Sequence, residues 1–157
     1  MEKKKVGYFL CLLIFLILTY FNAEAGIKKE YYPNGQLKAE TSFGGGIREG
    51  IAKYYYENGK VKSEIQYRNG RQEGMMKDYY ESGKLKVATP FKGGKAEGIS
   101  KRYFENGNLM IEISYKYGRE EGMSKWYYEN GNLMKEVSYR NGEKEWTRNY
   151  DENGKEW

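Results

Sequence analysis

An all-β fold, a single-layer antiparallel meander of repeated β-hairpins drawn out into an elongated ribbon, is predicted for this 157-residue chain by three observations. A turn dipeptide recurs at a fixed interval, aromatic and β-branched residues keep step with it, and no segment carries a 3.6-residue apolar period. The dipeptide appears as Asn34-Gly35, Asn58-Gly59, Ser82-Gly83, Asn106-Gly107 and Asn130-Gly131, each 24 residues after the last, and again as Asn153-Gly154 after 23. Tyr32, Tyr56, Tyr80, Phe104 and Tyr128 stand two residues before the Asn or Ser, and Leu37, Val61, Leu85, Leu109 and Leu133 two after the Gly. Phe43, Tyr67, Phe91, Tyr115 and Tyr139 follow at a constant offset.

Along the chain, residues 1–25 read as a signal peptide: MEKKK is a basic start, VGYFLCLLIFLILTYF an apolar stretch, and AEA at Ala23 to Ala25 suits signal peptidase. The alternative is a retained anchor, but the stretch from Val6 to Phe21 would rise only about 24 Å as a helix, short of the roughly 30 Å hydrocarbon core. The expected product is exported, whether periplasmic, cell-surface or secreted. Removing the leader takes away Cys11, the one cysteine, so no disulfide is expected in the repeat domain. It leaves 24 basic against 20 acidic residues, a net charge of +4. The charges alternate in sequence, which does not resemble a nucleic-acid footprint.

Residues 26–157 hold five repeats and a partial C-terminal one. In each, Asn-Gly between Tyr-, Val- and Ile-rich runs predicts a two-residue type I′ hairpin turn, because both central residues must tolerate positive φ. A second glycine pair, Gly46 with Gly50, then Gly70 with Gly74, Gly94 with Gly98 and Gly118 with Gly122, marks the passage to the next hairpin. With strands about 4.8 Å apart, one repeat advances the sheet by about 9.6 Å.

A two-residue turn fixes pairing by arithmetic. Across Asn58-Gly59, Tyr56 should face Val61, Tyr55 Lys62, Tyr54 Ser63 and Lys53 Glu64. The last pair recurs as Lys29 with Glu40, Lys101 with Glu112 and Lys125 with Glu136, and is missing where Ala88 meets Lys77. Such pairs contribute about 0.2–1 kcal/mol each and are read as register locks. Alternation puts Tyr56, Val61, Ile65 and Tyr67 on a packed face and Lys53, Tyr55, Lys62 and Glu64 on the other. Pro90 in the third repeat cannot donate to a ladder, which predicts an interrupted or outward-facing strand edge.

The units YYENGKVKSEIQYRNGRQEG and WYYENGNLMKEVSYRNGEKE resemble the MORN-variant repeat found in bacterial proteins labelled YwqK-family antitoxins. The resemblance covers about Tyr31 to Trp157 and rests on the joint recurrence of the aromatic, Asn-Gly, Leu-Lys, Glu and both glycine positions. It implies a β-hairpin array serving as a protein-binding or membrane-associated scaffold, and the antitoxin label implies a toxic protein partner.

Enzyme chemistry is not expected. There is no histidine in the chain and no cysteine after residue 25, which removes Ser-His-Asp and Cys-His arrangements and most transition-metal sites; no cofactor is expected. Glu49, Glu73, Glu97 and Glu121 recur with the repeat, whereas an active site needs a unique constellation; they are expected to pair with nearby Lys or Arg. The positions that break the repeat on the packed face are Glu30, Tyr54, Asp78, Arg102 and Trp126. In a repeat array such positions can individualise a surface, so Tyr54, Asp78, Arg102 and Trp126 are the candidate binding residues. Repeat drift without function is the alternative. The expected function is a protein-binding module of the cell envelope or exterior; association with a membrane surface and glycan binding are the other readings, and nucleic acid is not an expected partner.

Overall fold

A computed structural model describes residues 26–157, and the leader expectation falls outside them. The described residues form one open antiparallel sheet. Its first three strands are β1 (Gly26–Tyr31), β2 (Leu37–Gly44) and β3 (Ile47–Tyr55). There follow β4 (Val61–Arg68), β5 (Arg71–Gln72), β6 (Gly74–Tyr79), β7 (Leu85–Lys92), β8 (Lys95–Ala96) and β9 (Gly98–Tyr103). The last are β10 (Leu109–Lys116), β11 (Arg119–Glu120), β12 (Gly122–Tyr127), β13 (Leu133–Arg140) and β14 (Glu143–Asn149). The long strands pair in sequence order, as a hairpin meander requires; the short β5, β8 and β11 pair only with β4, β7 and β10 and are the first residues of a strand that bends before continuing as β6, β9 and β12.

The turn at each repeated Asn-Gly is not the two-residue type I′ turn that the sequence predicts. At Asn58-Gly59 the Gly59 N–H donates to the Tyr56 carbonyl and the Tyr56 N–H to the Lys60 carbonyl, both at 2.9 Å. The loop is therefore three residues, Glu57 to Gly59, with a left-handed final glycine (φ 81°). Asn58 is not left-handed; its side-chain carbonyl instead accepts the Lys60 N–H at 3.0 Å. The two-residue turns with both residues at positive φ sit at the opposite edge, as at Asn69-Gly70 (50° and 74°) and Asn141-Gly142 (55° and 85°).

The longer loop corrects part of the predicted register. Tyr55 pairs with Val61, so Tyr56 does not face Val61 and Tyr55 does not face Lys62. Tyr54 still pairs with Ser63 and Lys53 with Glu64, because the ladder skips Lys62 and so absorbs the extra loop residue. Likewise Arg102 pairs with Ile111 and Lys101 with Glu112 after a skip at Met110. Tyr56 leaves the ladder and donates its hydroxyl to the Tyr79 carbonyl of the next repeat at 2.6 Å. Tyr32, Tyr80 and Tyr128 do the same to Tyr55, Tyr103 and Tyr150 at 2.6, 2.6 and 2.9 Å, so these rings tie each hairpin to its successor. Phe104 has no hydroxyl to do so.

Two further expectations are corrected. Strand β7 runs unbroken through Pro90, which pairs with Met75 and accepts the Glu97 N–H at 2.9 Å, so the proline interrupts nothing. Among the described residues the repeated glutamates do not pair with cations. Glu49, Glu73, Glu97 and Glu121 each accept a backbone N–H from the following two-residue turn, at Asn69, Gly93, Tyr117 and Asn141, over 2.6–2.8 Å. A carboxylate that takes a turn N–H leaves one fewer backbone donor unpaired, which is why it recurs once per hairpin.

The sheet is packed on the side of Ile65 and Tyr67, as expected, but Val61, which pairs with Tyr55, moves to the other side. Ala52, Tyr67 and Val137 are buried on the packed side, and each ring of the series Tyr67, Phe91, Tyr115 and Tyr139 lies across from a glycine that leaves it room, Gly50, Gly74, Gly98 or Gly122. One polar group on this side has no partner. Thr89 and Ser100 share a hydrogen bond at 2.7 Å, but one repeat later Ile113 replaces the threonine, and the fully buried Ser124 hydroxyl has no partner among the described residues. Ser124→Ala is therefore expected to raise stability by about 1 kcal/mol, since an unpaired buried hydroxyl costs about 1–3. Urea unfolding checks it, and a loss of stability would show that the hydroxyl is paired.

Candidate interaction surface

The pairings chain the candidate residues into one uninterrupted row across the whole sheet. It runs Glu30, Ala39, Tyr54, Ser63, Asp78 and Val87, then Arg102, Ile111, Trp126, Lys135 and Asn149. All four candidates, Tyr54, Asp78, Arg102 and Trp126, thus share a face, and each is separated from the next by one return strand. Tyr54, Asp78 and Trp126 are half-buried, while Glu30 and Arg102 are exposed. Around Arg102 lies a depression of about 190 Å³ lined by Val87, Ser100, Ile111, Ile113 and Tyr115. Beyond it the Lys135 ammonium stands 3.9 Å from the centroid of the Trp126 ring, close enough for a cation–π contact.

Ser63 was expected opposite Tyr54, but the return-strand half of the row was not counted among the candidate binding residues. Ala39, Ser63, Val87, Ile111 and Lys135 also differ from repeat to repeat, and the same turn arithmetic that paired Lys53 with Glu64 assigns them to this row.

The other face is regular. Its central row alternates Lys29, Glu40, Lys53, Glu64 and Lys77, breaks at Ala88, and resumes through Lys101, Glu112, Lys125, Glu136 and Arg148. Within it Lys53 to Glu64, Lys101 to Glu112 and Lys125 to Glu136 are ion pairs at 3.6, 3.1 and 3.4 Å. A tyrosine hydroxyl donates to each glutamate: Tyr55 to Glu40 at 2.5 Å, Tyr79 to Glu64 at 3.0 Å, Tyr127 to Glu112 at 3.3 Å and Tyr150 to Glu136 at 3.1 Å. Burial and the Glu40 carboxylate push the Tyr55 hydroxyl up to about 12. Burial first, and the neighbouring glutamate second, raise Tyr79, Tyr127 and Tyr150 above the usual tyrosine value. Beside this row Ile27, Ile51, Met75, Ile99, Met123 and Trp146 form a partly exposed apolar stripe. Among the described residues no three His, Cys, Asp or Glu side chains gather to hold a metal.

The repeating unit has a counterpart among known families. A model described as the MORN repeat variant matches residues 25–43, 48–69, 72–92, 96–117 and 120–141. The chain belongs to the MORN repeat variant family. Within this MORN-variant array each match covers one hairpin, its two long strands and the three-residue loop between them, and ends near a two-residue turn. No curated protein sequence matches the chain. Among solved structures it is similar to S. aureus TarM, as a glycine-to-arginine mutant in complex with fondaparinux, alpha-GlcNAc-glycerol and UDP, and to a second TarM crystal structure. Both likenesses have 12% identity and a TM-score of 0.41, covering 85% of this chain and 23% of the other. The chain spans about a quarter of the length of those proteins, and so weak a likeness carries no functional argument.

Proposed function

We propose that this repeat scaffold is an exported, non-enzymatic binding protein of the cell envelope or exterior, immunity-like or surface-interacting, and that it holds a protein partner on the row from Tyr54 to Trp126. The observation that carries the reading is the row itself. Each repeat contributes a different side chain at one ladder position: tyrosine, aspartate, arginine, tryptophan. A regular face offers every partner the same surface at each step, whereas an irregular row offers one order of groups. Tyr, Trp and Arg are also the side chains that dominate interface energetics.

Trp126→Ala and Arg102→Ala are each expected to weaken partner binding by about 2 kcal/mol, or roughly 30-fold. The measurement is recovery from envelope extract on immobilised wild-type and variant chains, followed by titration of the recovered protein. Alanine variants of Tyr55, Tyr79, Tyr103 and Tyr127 on the opposite face serve as controls, with melting temperature measured for all. If those variants abolish binding at unchanged melting temperature while the Trp126 and Arg102 variants bind normally, the partner sits on the charged and apolar face instead.

A further inference from the structure

The edge of the sheet made by the two-residue turns gathers cations that are dispersed in the sequence. Arg68 pairs directly across the ladder with Arg71, Lys92 with Lys95, and Lys116 with Arg119. Like charges placed opposite one another destabilise a sheet, and here the arrangement is made three times in succession. None of the six is in an ion pair with a described residue. The acidic groups next to them are engaged elsewhere, since Glu73, Glu97 and Glu121 are held by the turn N–H groups of Gly93, Tyr117 and Asn141.

The pairs also run into one another. A Cβ placed on Gly94 would stand 3.7 Å from the Arg71 Cβ, one on Gly118 3.5 Å from that of Lys95, and one on Gly142 3.7 Å from that of Arg119. Each cation's stem therefore rests over the next turn, whose glycine leaves it room, and the charges follow one another along the edge at about 9.6 Å per repeat. Between the last pairs a depression of about 360 Å³ opens, lined by Lys95, Lys116, Tyr117, Arg119, Glu121 and Asn141. The strip is bounded: Gly44 and Ile47 occupy the equivalent pair before it, and Arg140 faces Glu143 after it.

We propose that this edge is a binding site for an extended, phosphate-bearing polymer without bases. Cation pairs repeated along one edge favour a polymer that carries its negative charges in series on the backbone itself, as phosphate linkages do, each with two free oxygens that accept from two donors at once. Neighbouring strands of a sheet rotate by roughly 20–25°, so successive cation pairs, two strands apart, point about 45° away from one another. A flexible chain can follow that winding, whereas a flat bilayer meets one or two pairs at a time. Of the residues in the turns themselves only Tyr117 is an exposed aromatic, which leaves no stacking platform for bases. The site is separate from the row from Tyr54 to Trp126, and its failure leaves that row untouched.

The test is titration of the full chain with long-chain inorganic polyphosphate by calorimetry. Orthophosphate, poly-L-glutamate, single-stranded DNA and phosphatidylserine vesicles form the comparison arms. The variant R68Q/R71Q/K92Q/K95Q/K116Q/R119Q is expected to bind polyphosphate about 30-fold or more weaker, with melting temperature unchanged or raised as the repulsion is relieved. The charge-matched variant K38Q/K60Q/K62Q/K84Q/K86Q/K155Q, drawn from elsewhere on the sheet, should lose less than about 3-fold. Should the sixfold variant fold poorly, each of R68Q/R71Q, K92Q/K95Q and K116Q/R119Q is expected to lose about 3-fold. Equal losses in both sixfold variants, or equal losses in paired edge and control variants, would mean that net charge alone is being read. That result overturns the site, as does tighter binding of DNA, vesicles, poly-L-glutamate or orthophosphate than of polyphosphate.

Discussion

Replacing Gly70 by valine is expected to lower stability by about 2–4 kcal/mol, the largest effect of any single substitution considered for this sheet. Gly70 has φ 74° in a two-residue turn, a conformation that strains a β-branched residue. Its N–H donates to the Arg48 carbonyl at 2.9 Å, so the backbone cannot relax without losing a bond to the preceding hairpin. A Cβ there would stand only 2.9 Å from Cγ2 of Ile47. Gly107→Val is the comparison that separates the contributions. Gly107 has φ 98° but open space around it, so its replacement is expected to cost only the backbone strain, about 1–2 kcal/mol. Urea unfolding of both variants gives the two values, and the idea fails if Gly70→Val costs no more than Gly107→Val. Asn69→Gly should be close to neutral, because glycine keeps the same turn accessible.

The contrast between these two glycines also explains what could and could not be read from the sequence. The period, the antiparallel meander and the lysine–glutamate rows were legible, because a strand alternates every second residue and a repeated turn fixes the phase of that alternation. The turn types were not. Asn-Gly serves both loops: Asn69 enters the left-handed region itself, whereas Asn58 stays out of it and lends its side-chain carbonyl to Lys60. The dipeptide is the same, and only the spacing to the flanking strands decides. The error stayed local because the skip at Lys62 restores the ladder by Tyr54, which is why the Tyr54 to Trp126 row assembles as expected although Tyr55 and Tyr56 face other partners.

The basic edge was hidden for a related reason. Arg68 and Arg71 stand three apart in sequence with acidic residues close by, so a linear reading finds alternation. Folding sorts the two signs by role: the glutamates turn to backbone N–H groups and to the lysine ladder, and the arginines and lysines at the turn are left facing each other. Charge clustering in a repeat array is a property of equivalent positions 24 residues apart, not of neighbours along the chain. Reading down a column of the repeat, instead of along a window, is what reveals it.

The ladder on the opposite face should make the protein sensitive to alkali, with stability falling steeply as pH rises from about 10 towards 12. Tyr55, Tyr79, Tyr127 and Tyr150 each donate a hydroxyl proton to a glutamate, and each titrates above the usual tyrosine value of 10, Tyr55 at about 12. Because these values are raised on folding, the folded chain holds protons that the unfolded chain releases. The contribution to stability is complete below pH 10 and is lost as pH passes through the folded values. Beyond that point every tyrosinate faces a carboxylate across a distance that was a hydrogen bond. Alkali also acts on the rest of the chain and gives any variant a common background of loss. The variant with Tyr55, Tyr79, Tyr127 and Tyr150 all changed to phenylalanine separates the two causes. It should be less stable than the wild type at pH 8, by about 0.5–1.5 kcal/mol for each of the Tyr55, Tyr79 and Tyr127 hydrogen bonds lost, but its stability should fall less steeply above pH 10. Urea unfolding at intervals from pH 8 to 12 reads the difference. Parallel curves for the two proteins would show that the tyrosine hydroxyls do not stabilise the ladder through their protons.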